Sequence, residues 1–150
     1  MSEDPIRMVD VTSKPISSRK AEAIGEVILQ PSTIKMIRDG TTKKGNVLAV
    51  SEIAGIQAAK KTADIIPLCH QIPLSSVQII YKFQEDRVLA TCEVSANYTT
   101  GVEMEALVGV TAALLSIWDM VKYLEKDSDG QYQVARLEGI RVTRKVKESL

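Results

Sequence analysis

The chain has one histidine, and its neighbours single it out. His70 lies in the run Ile65-Ile66-Pro67-Leu68-Cys69-His70-Gln71-Ile72-Pro73, where two prolines forbid a continuous helix and force an extended or looped path. A lone imidazole is more often a structural hydrogen-bonding group than a catalyst. Yet a polar ring held in an apolar loop between prolines is a fixed group suited to border a cavity. Cys69 adjoins it, but neighbours on an extended backbone point to opposite faces. The pair is therefore not a nucleophilic dyad, and Cys69 reads as a packing residue.

Asp119 and Lys122 are three residues apart, hence on one helical face, and follow a stretch without charge. Spacing alone fits a surface ion pair. Trp118, Met120 and Val121 argue instead for partial burial, where the two groups would shift each other's pKa and could act as acid, base or phosphate ligand. Thr100-Gly101-Val102-Glu103 has capping-box spacing, with the Glu103 carboxylate returning to the Thr100 amide, which is a sufficient structural explanation of Glu103. Glu105 has none: among Met104, Ala106 and Leu107 an uncompensated carboxylate is costly. Lys43 and Lys44 precede Gly45 and a helix start, where ammonium groups and backbone amides could converge on an anion. Arg141, Arg144, Lys145 and Lys147 read as a solvated face, with only an outward-alternating member such as Lys145 able to line a cleft, on the side opposite Val142. The glycines form no phosphate-loop or dinucleotide fingerprint.

Residues so placed need elements to hold them. A strand is expected over 21–29 and a helix from Pro31-Ser32-Thr33 to Asp39, closed by Gly40. Asn46 can cap a second helix to about Thr62, with Leu48, Ile53, Ile56 and Ala59 as its buried face and Ala49, Ala54, Gly55 and Ala58 permitting close packing. Val77 to Phe83 and Val88 to Val94, separated by Gln84-Glu85-Asp86, predict an antiparallel hairpin. The longest helix is expected from Thr100 to about Lys126, some 36–39 Å at 1.5 Å per residue. Between Met104 and Trp118 it has almost no polar face, which implies burial on all sides and hence a subunit interface. A last strand spans Tyr132 to Lys147, with Ile140, Val142 and Val146 on one side and Arg141, Thr143 and Lys145 on the other. This order suits an α+β fold, a ferredoxin-like antiparallel sheet with helices grouped on one face, in a single domain over 1–150.

Composition bounds the function. Of the 150 residues 45% are apolar, enough for a core, so disorder is excluded. Nineteen Lys and Arg balance nineteen Asp and Glu, so there is no general attraction for nucleic acid or acidic lipid. Aromatic residues make up 4%, too few for base-stacking platforms. Cys69 and Cys92 do not form a disulfide framework, one His and two scattered Cys cannot make a zinc site, and the acidic start Met1-Ser2-Glu3-Asp4-Pro5 is unlike a signal peptide. With no run of about 18 apolar residues, the expectation is a soluble cytoplasmic protein that binds neither membrane nor nucleic acid.

Several long stretches, taken in order, resemble one family. They are Met8-Val9-Asp10-Val11-Thr12-Ser13-Lys14, Lys44-Gly45-Asn46-Val47-Leu48, Ile53-Ala54-Gly55-Ile56-Gln57-Ala58-Ala59-Lys60-Lys61-Thr62, Ile66-Pro67-Leu68-Cys69-His70, Thr100-Gly101-Val102-Glu103-Met104-Glu105-Ala106-Leu107 and Asp119-Met120-Val121-Lys122. Together they resemble the cyclic pyranopterin monophosphate synthases of molybdenum cofactor biosynthesis. The resemblance implies a ferredoxin-like subunit in a homohexamer, a trimer of dimers, with active sites between subunits. It implies a lyase that converts 3′,8-cyclo-7,8-dihydroguanosine 5′-triphosphate, made by a radical enzyme, into cyclic pyranopterin monophosphate with loss of pyrophosphate. No resident cofactor or metal is implied, and Mg²⁺ accompanying the triphosphate is left open.

Carried over by motif, Asp119 is the expected catalytic carboxylate. Lys44, Lys122 and Lys145 are triphosphate ligands or proton relays, and His70 and Glu105 complete the set. Leu68, Cys69, His70, Met104 and Glu105 form the substrate-contacting walls. The chain departs from the family pattern at Gln71, Asn46 and Thr100, and by running on as Val146-Lys147-Glu148-Ser149-Leu150 where a Gly- and Ser-rich tail is common. Two other readings compete: a module that binds an anionic nucleotide through Lys44, Lys122 and Lys145 and regulates a partner, and a purely structural ring.

Overall fold

The computed structural model describes residues 4–150, so that Met1 to Glu3 of the acidic start lie outside the described residues. In chain order the elements are β1 (Ser17–Ile28), α1 (Pro31–Asp39), α2 (Val47–Lys60), α3 (Thr62–Ile65), β2 (Ser76–Phe83), β3 (Arg87–Tyr98), α4 (Glu103–Glu125) and β4 (Arg136–Ser149). The sheet order is β2-β3-β1-β4, with every neighbouring pair antiparallel. Two β–α–β crossovers are interleaved, so β1 and β3 lie at the centre, and the result is the expected ferredoxin-like α+β arrangement.

Period-two alternation puts Ala21, Ala23 and Val27 of β1 and Val88, Ala90, Cys92 and Val94 of β3 on the helix side, all buried. Against them α4 lays Ala106, Val110, Ala113, Leu114, Ile117 and Val121. The small side chains in the strands let the helix sit close: a Cβ built on Gly25 would stand 2.8 Å from Leu114 Cδ1. Helix α2 crosses α4 at a pair of glycines, Gly55 and Gly109, each of which would press an added Cβ towards the other's carbonyl oxygen. Asn46 caps α2 as expected, its Oδ1 accepting from the Ala49 N–H at 3.0 Å. Gly40, at positive φ, closes α1.

Four expectations about elements change. The buried face of α2 is Val47, Ser51, Gly55 and Ala59, while Ile53 is 57% exposed, because the tight crossing selects small residues over large ones. The helix beyond it breaks at Lys61 into the single turn of α3. Helix α4 starts at Glu103, with Val102 at the cap and no capping side-chain bond, so the Thr100 box does not form; the Glu103 carboxylate folds over Gly101 and towards Lys145 instead. By length and composition α4 could cross a membrane, contrary to the reading of runs, yet half of its apolar stretch is buried within this fold. The other half is only partly covered, Leu115 being 51% exposed, so burial on all sides is not reached within one chain.

The far end of α4 reaches back to α1. The backbone at Gln30, where α1 begins, has no local cap; its N–H donates to both carboxylate oxygens of Glu125 at 3.2 Å, and the Thr33 hydroxyl donates to the same carboxylate. Glu125 is 2% exposed, so its replacement leaves donors dry.

Two stability predictions result. Gly55→Ala should lower the free energy of urea unfolding by about 1–3 kcal/mol, since the Gly109 carbonyl cannot yield as a side chain would, and overpacking outweighs a helix-propensity gain of about 1 kcal/mol. Glu125→Ala should cost about 1–3 kcal/mol in the same measurement, and Glu125→Gln, which keeps an acceptor, distinctly less.

Candidate active site

The loop between α1 and α2 is built to present a lysine. Gly45 takes φ 103°, a conformation that L side chains rarely adopt. That turn is closed by the Gly45 N–H donating to the Thr42 carbonyl at 3.3 Å and the Thr42 hydroxyl donating to the Gly45 carbonyl at 2.7 Å. The Lys43 N–H donates to the Tyr123 hydroxyl of α4 at 2.6 Å, and the Lys43 ammonium lies 5.8 Å from the centre of that ring. Lys44 then turns to α4, its Nζ 3.4 Å from the Asp119 carbonyl and 3.9 Å from Asp119 Oδ2, while Lys122 Nζ stands 3.0 Å from Oδ1. The hydrogen bond and charge of Lys122, then the charge of Lys44, hold the Asp119 carboxyl below the usual carboxylate range. Asp119 raises Lys122 in return. The partial burial expected of this pair is not found: the Asp119 side chain is 62% exposed and that of Lys122 42%, because Trp118 and Met120 point to other sides of α4.

At the opposite end of α4, Glu105 is 4% exposed. Burial pushes its carboxyl up, and the neighbouring Glu103 adds to the shift. It borders a cleft of about 360 Å³ with His70, Lys60, Lys61, Asp64 and Gln71. Across from the cleft, His70 Nε2 lies 2.6 Å from the Val9 carbonyl, so the N-terminal segment supports the ring as a donor. Lys145 Nζ is 2.6 Å from Glu103 Oε1. Partial burial raises Glu103, but its bonds to Lys145 and to its own backbone amide, with the charges of Lys145 and Arg19, outweigh that and leave it lowered. Arg19, itself buried, donates to the Thr99 carbonyl at 3.2 Å and adds a further cation beside Glu103.

Lys145 reaches that position through an irregularity in β4. Opposite residues of an antiparallel pair share a face. Lys145 pairs with Ala21 and Val142 with Ala23, so both lie on the helix side, and the extra residue, Thr143, is the bulge between them. The strict alternation that puts Lys145 opposite Val142 is thus overturned, and Val146, paired with Lys20, moves to the outer face.

Of the expected walls, His70 and Glu105 line the cleft and Cys69 is half-buried nearby, its thiol pushed up by burial and then by Glu105. Leu68 is half exposed, and Met104 borders a separate apolar groove with Ile65, Ile66, Leu107 and Leu115. The structure therefore sorts the site residues into two groups: Asp119, Lys44 and Lys122 at the C-terminal end of α4, and Glu105, His70 and Lys145 around its start. Asp119 lies fourteen residue steps along the helix from Glu105, about 21 Å along the axis. The groove runs along α4 between them.

The first group can hold an anion near a carboxylate whose charged form is favoured, and the second can offer a buried carboxyl whose neutral form is favoured and an imidazole. Sequence reasoning missed Lys60 and Lys61 as cleft residues; their closeness in sequence to the two-proline loop is the signal. It also missed Tyr123 and Arg19, for which spacing holds no signal. Among the described residues no three His, Cys, Asp or Glu side chains come together as a metal site.

Comparison with known proteins gives the family. The MoaC family model matches residues 8–148. The chain is 58% identical to the "Probable cyclic pyranopterin monophosphate synthase" of Thermococcus onnurineus over 99% of this chain and 95% of the relative. It is 56% identical to the protein of the same name in Pyrococcus abyssi, over 98% and 92%. It is 50% identical to the "Probable cyclic pyranopterin monophosphate synthase accessory protein" of Methanothermobacter thermautotrophicus, over 99% and 93%. Both site groups fall within the matched residues, and on that full-length agreement the chain belongs to the MoaC family.

Proposed function

We propose that the chain is a cyclic pyranopterin monophosphate synthase of molybdenum cofactor biosynthesis, a lyase acting on 3′,8-cyclo-7,8-dihydroguanosine 5′-triphosphate. One observation carries the reading: a carboxylate held as an anion between two ammonium groups, Asp119 with Lys44 and Lys122, in a chain that matches proteins of that name along its whole length. Forming the cyclic phosphate requires a sugar-derived hydroxyl to attack the α-phosphorus. The bond to the β-phosphate breaks, pyrophosphate leaves, and a base takes the hydroxyl proton. Opening the guanine-derived ring and closing the pterin move further protons without any change in oxidation state. Asp119 serves as the carboxylate at the reacting centre, Lys44, Lys122 and Lys145 hold the triphosphate and relay protons, and Glu105 and His70 exchange protons at the base. Leu68, Cys69 and Met104 frame the substrate.

The working site lies between two copies of the chain. A separation of about 21 Å along α4 is too long for one small molecule to engage both groups at close range. Packing the apolar groove of α4 against a second copy about a two-fold axis, with the helices running oppositely, sets the Asp119 end of one beside the Glu105 end of the other. Three such dimers make the homohexamer, and the two free thiols suit a reducing cytoplasm.

The direct test is pyrophosphate release and pterin formation. Asp119→Asn should lower turnover by at least about 100-fold at unchanged oligomeric state. A protein that binds the triphosphate and never releases pyrophosphate is the nucleotide-binding module instead. Glu105→Gln should also lose turnover, and its stability should move the other way with pH. The raised Glu105 carboxyl stabilises the fold in its neutral form, and that contribution is lost as pH rises through its folded value, so the variant gains on the parent towards alkaline pH. Co-assembling the two inactive variants should restore about a quarter of parental turnover, since half of the random dimers carry one intact composite site of two. No recovery would place the site within one chain.

A further inference from the structure

Nothing in the loop 41–46 itself aims Lys44 at Asp119. Lysine has four rotatable bonds, and the loop's internal bonds, Thr42 to Gly45, fix its shape without fixing where it sits on α4. The bond that docks it is the Lys43 N–H to the Tyr123 hydroxyl, and Tyr123 stands one helical turn beyond Asp119 and next to Lys122. Glu125 anchors the start of α1, at the other end of the same excursion. The last two turns of α4 thus carry Asp119 and Lys122 and also grip, at two points, the segment that delivers Lys44.

We infer that Tyr123 is a positioning residue: its hydroxyl, by accepting the Lys43 amide, sets the Lys44 ammonium beside Asp119. This rests on the functional reading only for its catalytic consequence; the placement itself is a property of the free protein. The Lys43 ammonium over the ring contributes a weaker grip that a phenylalanine retains. Tyr123→Phe therefore removes one oxygen and leaves the packing.

The Asp119 carboxyl reports the distance of Lys44. Titrating it by carbon NMR in the intact assembly, in the parent, Tyr123→Phe, Lys44→Ala and the double variant, tests the placement. Tyr123→Phe should move the Asp119 titration upwards, in the same direction as Lys44→Ala, and should add nothing once Lys44 is gone. An unmoved titration in Tyr123→Phe overturns the inference, as does an equal upward movement in the absence of Lys44, since that would be a general loosening of the helix end. In turnover, kcat/KM of Tyr123→Phe should fall about tenfold. Unchanged kcat/KM in a protein whose parent is active overturns the catalytic consequence. A parent that never turns over overturns the functional reading alone, and the titration still decides whether Tyr123 places Lys44.

Discussion

Everything in this subunit hangs on how closely α4 lies against its neighbours. The strands beneath it offer Ala21, Ala23, Gly25 and Ala90, and the helix beside it offers Gly55 against Gly109. Small residues on three surfaces bring a 23-residue helix within direct backbone contact of α2 and almost flush with the sheet. That contact makes α4 a rigid bar some 34 Å long at 1.5 Å per residue, and the candidate chemistry sits at its two ends. A helix held so firmly can fix the separation of Glu105 and Asp119, and it leaves one long apolar side with no cover from its own chain.

The two ends differ in environment, and their carboxyl groups take opposite states as a consequence. Glu105 loses its water to the packing of the helix start, so the neutral form gains. Asp119 keeps its water and gains two ammonium groups, so the charged form is favoured at lower pH than for an isolated aspartate. Pairs of titratable groups pushed apart in this way are what acid–base chemistry at one pH requires. Lys145 and Glu103 contribute at the same end: a close ion pair at the mouth of α4 holds Glu103 charged, and that charge adds to the upward shift of Glu105.

Long-range supports hold these arrangements. The start of α1 is capped from the end of α4 by Glu125, His70 is met by the carbonyl of Val9, and the Lys44 loop rests on Tyr123. Each joins segments more than sixty residues apart in the chain, so local pattern carries no trace of them.

The sequence by itself determined the elements and singled out the candidate residues. Apolar alternation identified the hairpin, Asn46 the start of α2, Gly40 the end of α1, and the order of strands and helices the ferredoxin-like sheet, because each follows from local spacing and backbone preference. Residue type and spacing marked Asp119, Lys44, Lys122, His70, Glu105 and Lys145, and motif resemblance gave their expected roles. Tertiary structure decided where those residues stand. The Thr143 bulge moves Lys145 to the helix side because one extra residue reverses the parity of a strand. The box at Thr100 fails because the Glu103 carboxylate turns to Lys145 and its own amide rather than back to Thr100. Asp119 is exposed because apolar neighbours along a helix point around it rather than over it. The division of the site between the two ends of α4 is likewise a matter of distance in space, which spacing along the chain does not encode.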